Sequence, residues 1–414
     1  MKTPESGNLK VKFLCAFYVI LMTLTLSCSS TQKPESVKFT IPEEYLREPA
    51  EIPEFWKNTL EEISYVLDNV VKRGLVKVIG TSAGGRPIHA VFYGNSRQGK
   101  GTSTFSGSIG FGDVRAYRGP DHDKTVYLGM SAVHGGEFEG IVGVMNLIYI
   151  LETGKDLQGR KWPEITAVAK KLDRLILIPV MNPDGRARIP IRMESHWGDS
   201  YIVHEFLNTG GYADGTIIGW PQVKEFIPMD FKDFGFPGGY PNDAGVNIMH
   251  DDFFGNIQPE TQALFDLVAS EKPDLIINMH TGAPPGNYFI RMHRPMAEPV
   301  LDKTFEALYV WVHSALALQG HQGTKEPAIE ADLTRVPKGV YNLDAALNLH
   351  CGTLSVVVES PSHSFSGTNR AGEPVLQTPE MILDAQLACH QEAMKFLAET
   401  GGRSKWTPGR GKRN

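Results

Sequence analysis

A three-layer α/β domain with a largely parallel core sheet is the fold class this sequence predicts. Two observations carry it. Apolar runs of strand length recur at Thr125–Ala132, Leu175–Met181, Pro273–Met279 and Leu354–Val358. Continuous rather than alternating apolarity marks strands buried on both faces. Between and after them lie segments of helical character, Gly140–Leu151, Glu260–Ser270 and the long closing stretch Ile382–Leu397. Strands that alternate with helices build parallel crossovers.

Taken in order, the chain opens on Lys2, Lys10 and Lys12, followed by the apolar run Phe13–Leu26 and Ser27-Cys28-Ser29-Ser30. A positive start, a short apolar core and small residues describe a secretory signal over residues 1–28. The run is short for a membrane span. Thr25-Leu26-Ser27-Cys28 resembles the bacterial lipoprotein processing box, so the expectation is export to the cell envelope with a lipid anchor at Cys28. Ordinary cleavage with secretion, or a retained anchor, are the alternatives. Residues 29–44 read as a tether. Pro42–Val71 carries Trp56, Leu60, Ile63 and Val66-Leu67 at helical spacing. Leu75–Ile79 and Ile88–Tyr93 read as strands around the turn Ser82–Pro87, and Gly99–Gly119 as an exposed loop. Glu194–Pro241 lacks periodicity and is too long for an ordinary connection, so it reads as an inserted functional loop or small subdomain. The glycines and charges of residues 401–414 read as a disordered basic tail.

The 414 residues are 41% hydrophobic with a formal net charge of −6, enough for a substantial core. No central basic stripe points to nucleic acid. Past the signal only Cys351 and Cys389 remain, either one disulfide or two buried thiols.

Polar segments follow four of the apolar runs: His134-Gly135-Gly136-Glu137, Asn182-Pro183-Asp184-Gly185, His280 and Glu359. Ligands bind at the carboxyl ends of strands in open α/β sheets, so one active site built from all four is expected. His134, Glu137 and His280 form a two-histidine, one-carboxylate ligand set for one zinc ion with an open fourth position; this set is a known zinc-hydrolase arrangement, given in general accounts for carboxypeptidase A. Zinc acidifies its bound water, and a separate carboxylate must take the proton. Glu359, approached through Val356-Val357-Val358, suits that role. A cationic donor for the developing oxyanion is sought among Arg186, Arg188 and Arg192, with Arg192 favoured.

These motifs together resemble the zinc metallocarboxypeptidase family of carboxypeptidases A and B. Ile79-Gly80-Thr81-Ser82 with Gly85-Arg86-Pro87-Ile88 is similar to its early hairpin. His134-x-x-Glu137 is similar to its first zinc motif, and Asn182-Pro183-Asp184-Gly185 to its Asn-Pro-Asp-Gly turn. Pro259–Leu264 is similar to the opening of a family helix. His280 falls at the third ligand and Glu359 at the catalytic base. The resemblance spans residues 45–400. It implies one domain with a mixed sheet of about eight strands between helices. It also implies one zinc ion, a peptide or peptide-like substrate cleaved near a free C-terminus, and a monomer. The tyrosine that family members carry before the base has Tyr341 as its nearest candidate. One departure stands out. Where the family grips the substrate carboxylate with Asn-Arg inside Asp-x-Asn-Arg-Asn, this chain has Asn247-Ile248-Met249-His250-Asp251. Either His250, or Arg291 or Arg294, supplies the charge, or the enzyme is an amidase or deacylase on a substrate without that carboxylate. A zinc-binding protein without turnover is the reading from another class. Asp344 is either a selector of basic side chains or a surface acid.

Overall fold

The computed structural model describes residues 38–195, 201–224, 228–282, 291–293, 299–320, 342–360, 366–368 and 374–407. The signal segment, Cys28, Arg294, Tyr341 and residues 408–414 lie outside these. Strands are β1 (Leu75–Thr81), β2 (Pro87–Gly94), β3 (Val126–Ser131), β4 (Arg174–Ile178), β5 (Gly211–Tyr212), β6 (Phe234–Phe236), β7 (Leu275–Thr281), β8 (Arg291–His293), β9 (Leu354–Ser360), β10 (Ser366–Thr368) and β11 (Pro374–Leu376). Helices are α1 (Leu60–Asn69), α2 (Phe105–Phe111), α3 (Arg115–Arg118), α4 (Phe138–Thr153), α5 (Pro163–Ala169), α6 (Pro183–Arg188), α7 (Tyr201–Thr209), α8 (Pro259–Glu271), α9 (Asp302–Leu318), α10 (Leu343–Cys351), α11 (Pro379–Thr400) and α12 (Arg403–Trp406).

The main sheet runs β1-β2-β4-β3-β7-β9-β8, seven strands among the described residues where about eight were expected. β4, β3, β7 and β9 are mutually parallel, and β1, β2 and β8 join antiparallel at the edges. The sheet is therefore mixed with a parallel centre, as the apolar runs predicted. Each inner strand is buried on both faces because side chains alternate. Tyr127, Leu175, Leu177, Ile277, Met279, Val356 and Val358 share one core with α4 and α11. Leu128, Met130, Ile176, Ile178, Ile276 and Val357 share the other with α8 and α10. His280 and Glu359 continue this second set at the carboxyl ends of β7 and β9.

Several expected segments differ, each for a local reason. Pro42–Val71 is not one helix. A 3-10 turn spans Glu43–Leu46, and α1 starts only at Leu60, where Thr59 and Glu62 close a capping box. Trp56 kept helical spacing because this loop buries it, its Nε1 donating to the Arg192 carbonyl at 2.9 Å. Gly99–Gly119 is not simply an exposed loop. Thr104 caps α2, Gly112 ends it at φ 73°, and Phe105, Val114 and Arg118 are buried. Arg118 pairs there with Asp274 at 2.5 Å. The expected tether 29–44 is partly folded, since Phe39 stacks edge-on against Phe231 and Phe236. From Phe39 onward the chain is one compact unit. The tail expected to be disordered from 401 begins with helix α12, whose Arg403 is fully buried and donates its backbone N–H to Asp274. Cys351 and Cys389 are buried free thiols. Among the described residues no helix is long and apolar enough to cross a membrane.

Candidate metal centre

His134 follows β3 through Ala132, a non-glycine residue held at φ 52°. That left-handed turn redirects the chain at the carboxyl end of this central strand, a strained conformation of the kind that accumulates at functional sites. The glycines between the two candidate ligands are needed for close approach rather than for special dihedrals. A Cβ on Gly135 would sit 2.0 Å from the Arg186 backbone nitrogen, and one on Gly136 would sit 2.7 Å from Asn208 Oδ1. Glu137 then occupies the N-cap of α4, where the helix dipole favours a carboxylate. His280 arrives from β7, and the next residue, Thr281, donates to Glu139 Oε2 of α4 at 2.8 Å. That bond ties the strand carrying one candidate ligand to the helix carrying another.

These elements bring His134, Glu137 and His280 into one buried group, with a donor atom of each within 4.8 Å of the others. His134 Nδ1 lies 2.8 Å from Glu137 Oε1, and His280 Nδ1 lies 2.9 Å from Glu137 Oε2. The second approach is short enough for an ion pair, yet Glu137 Oε2 has no aligned hydrogen bond. Three buried bases facing one another, one oxygen left without a hydrogen-bond donor, fit a cation. Burial alone would raise the Glu137 pKa, but the two imidazoles hold it well below the usual carboxylate range. Burial pulls His134 down, against Glu137. Burial also opposes charge on His280, but Glu137, Glu359 and Asp344 push it up to about 9.

Glu359 is the register partner of His280 across the parallel β7–β9 pair. Partners in a parallel ladder point to the same face, and Glu359 is half-buried beside Gly282, where an added Cβ would lie 3.0 Å from its Oε2. Asp344, at the start of α10, is buried rather than a surface acid, and it accepts from Ser355 Oγ at 2.5 Å and Asn278 Nδ2 at 3.0 Å. Burial raises its pKa.

Other expected residues stand elsewhere. Arg192 pairs with Glu62 of α1 at 2.8 Å and donates to the Trp56 carbonyl, and these partners, not the ligand group, hold its guanidinium. Arg186 is buried on carbonyls of Asn58, Ile189 and Ile191, and Arg188 binds the Gly238 and Pro241 carbonyls and Asp243. The Asn182–Gly185 turn contributes structure. Asn182 caps α6 through Gly185 N–H. Asp184 is fully buried, gathering Ser82 Oγ, the Gly84 and Asp243 N–H groups and Arg86. His250 ends a 3-10 turn, half-buried, while Met249 packs in the core beneath. Arg291 is registered opposite Glu359 on edge strand β8. Asn208, Tyr240 and Asn247 touch the ligands and were not anticipated as such. Asn208 Nδ2 lies 3.3 Å from Glu137 Oε1, the Tyr240 ring stacks on His134, and Asn247 Oδ1 lies 3.3 Å from His134 Nε2.

Residues 67–198 match the sequence model of a family described as zinc carboxypeptidase. In three dimensions the chain resembles a Burkholderia mallei protein assigned as a carboxypeptidase, at TM-score 0.50 and 15% identity, over 82% of this chain and 68% of that one. A metallo-carboxypeptidase from Burkholderia cenocepacia aligns at TM-score 0.48 and 16% identity over 82% and 69%. Carboxypeptidase A from Helicoverpa armigera aligns at 0.49 and 15% over 84% and 74%. No curated protein matches in sequence. The fold is zinc carboxypeptidase-like. With the family match over residues 67–198, the chain is a metallocarboxypeptidase-like hydrolase whose His–Glu–His group fits one zinc ion.

Proposed function

We propose that this protein hydrolyses the C-terminal peptide bond of peptide substrates, with His134, Glu137 and His280 as the zinc ligands and Glu359 as the general base. The observation that carries the reading is the convergence of three buried donors, one of which, His280, shares its sheet face with the Glu359 carboxylate. Zinc, when bound, polarises the scissile carbonyl and acidifies water. In this reading Glu359 takes a proton from the attacking water and returns it to the leaving nitrogen, so one carboxylate serves as base and then as acid. Thr281 and Glu139 hold His280 and Glu137 in mutual register while this happens.

Met249 and His250 favour a second reading, an amidase or deacylase acting on a substrate without a terminal carboxylate. A guanidinium binds a carboxylate through two bonds at any pH, whereas an imidazole is a weaker, pH-dependent partner. Under the first reading, recognition of the terminal carboxylate falls instead to His250 or to Arg291 on the neighbouring edge strand. The cell envelope is the proposed location, reached through the signal segment and anchored at Cys28.

The test uses zinc-loaded protein and a peptide library, half of it C-terminally amidated, read by mass spectrometry with and without chelator. Chelator-sensitive loss of single C-terminal residues from the free acids alone is expected. Cleavage of the amidated half establishes the second reading, and cleavage of neither half leaves a zinc-binding protein.

A further inference from the structure

The inserted segment 194–241 reaches the outer sides of two of the three candidate ligands, and each contact restrains a different degree of freedom. Asn208, near the end of α7 and 4% exposed, donates Nδ2 to Glu137 Oε1 at 3.3 Å. That bond sets the carboxylate's rotation about its last torsion. The Tyr240 ring lies flat on His134, with centroids 3.6 Å apart and an interplanar angle of 5°. A face-to-face partner that close blocks rotation of the imidazole about Cβ–Cγ. The Gly239 carbonyl accepts from Gly135 N–H at 2.7 Å and fixes the backbone between the ligands. The Val223 carbonyl accepts from Asn247 Nδ2 at 3.1 Å. Its amide nitrogen thus engaged, Asn247 turns Oδ1 to His134 Nε2 at 3.3 Å. An acceptor at Nε2 places the ring proton there and leaves Nδ1 as the ligand atom facing Glu137. The same carbonyl explains an amide at position 247, since a carboxylate would set an oxygen against the Val223 oxygen.

We propose that the inserted segment sets the zinc affinity of this protein, with Asn208 and Tyr240 as positioning residues for Glu137 and His134 and Asn247 as a relay locked by Val223. The inference rests on the assignment of His134, Glu137 and His280 as the zinc ligands. Outer contacts of this kind are typically worth about 10- to 100-fold in metal affinity.

The experiment strips the purified full-length protein of metal and titrates zinc back against a chromogenic chelator. It compares wild type with Asn208→Leu, Tyr240→Leu, Tyr240→Phe and His280→Ala, and records the metal-free melting temperature of each. Asn208→Leu and Tyr240→Leu are expected to bind zinc about 10- to 100-fold more weakly with near-wild-type metal-free melting. Tyr240→Phe keeps the stacked ring and is expected to keep wild-type affinity. Should Tyr240→Leu fail to fold, Asn208→Leu decides. Folded Asn208→Leu protein with wild-type zinc affinity overturns the proposal, as does a fall in metal-free melting with affinity intact, which marks a purely structural segment. Wild type that binds no better than His280→Ala instead overturns the ligand assignment itself.

Discussion

At the scale of single residues, Glu137 is the pivot, because both histidines lean on its two oxygens. Removing one imidazole leaves a buried carboxylate short of a partner and the cation short of a ligand. His280→Ala is therefore expected to lose zinc, measured by metal content after dialysis, and with it all peptide hydrolysis. Glu359→Gln leaves the ligand group intact. It should retain zinc while turnover falls by about 100- to 10,000-fold, the usual worth of general acid–base catalysis. A fully active Glu359→Gln enzyme would falsify the base assignment. The ligands were legible because their chemistry is rare and their places, at the ends of apolar runs, are conspicuous. Asn208, Tyr240 and Asn247 were not, because asparagine and tyrosine are common. Their meeting with His134 and Glu137 spans 71 residues in one hydrogen bond and 113 in another. Arg192 was misleading because position after a strand says nothing about direction, and Glu62 takes its charge.

At the scale of elements, helix α7 carries a buried ion pair, His204 Nδ1 with Glu194 Oε1 at 3.1 Å. Burial alone would lower the His204 pKa, but Glu194, with Glu139 and Glu137 behind it, pushes it up to about 9. Below the unfolded value of about 6.5 both states hold the proton and the pair contributes fully. As pH rises through about 9 the folded state gives the proton up and the contribution disappears. The melting temperature of wild type, relative to His204→Gln, should thus fall between pH 6.5 and 10; parallel curves would count against a charged His204. The Asp184 hub makes a second prediction. Asp184→Ala strips the acceptor from a hydroxyl, two backbone N–H groups and an arginine. It should cost about 3 kcal/mol in urea unfolding, with Arg86 partly relieved by its exposure to water. The inner strands were readable because burial on two faces leaves an uninterrupted apolar signature, and α4, α8 and α11 were read as helices, whereas α9 was not anticipated. Residues 42–59 and 99–119 were misread because a buried loop borrows apolar residues, and a short capped helix among glycines shows no period.

At the scale of the whole molecule, zinc that binds only the folded state stabilises it by mass action, about 2.7 kcal/mol at a hundredfold excess over the dissociation constant. Chelator should lower the melting temperature of wild type and leave His280→Ala unmoved; equal shifts in both would mean that zinc binds elsewhere. The three-layer plan and its parallel centre followed from the order of apolar runs, and the antiparallel β1–β2 edge from the turn between its strands, while the short antiparallel β8 did not, since three residues leave no pattern to read. One consequence of the β7–β9 ladder extends beyond stability. His280 and Glu359 are 79 positions apart in sequence but stand on the same rung. Neighbouring strands keep a spacing of about 4.8 Å wherever the sheet is intact. The candidate ligand and the proposed base therefore share a vernier scale: slide β9 by a single notch and Glu359 swings to the opposite face, while Ser360 or Val358 comes up in its stead. Loops around the site are free to lengthen and drift and retune what is bound. An indel inside β9 would instead read like a frameshift, leaving a sheet that still folds around a reaction centre out of step with itself.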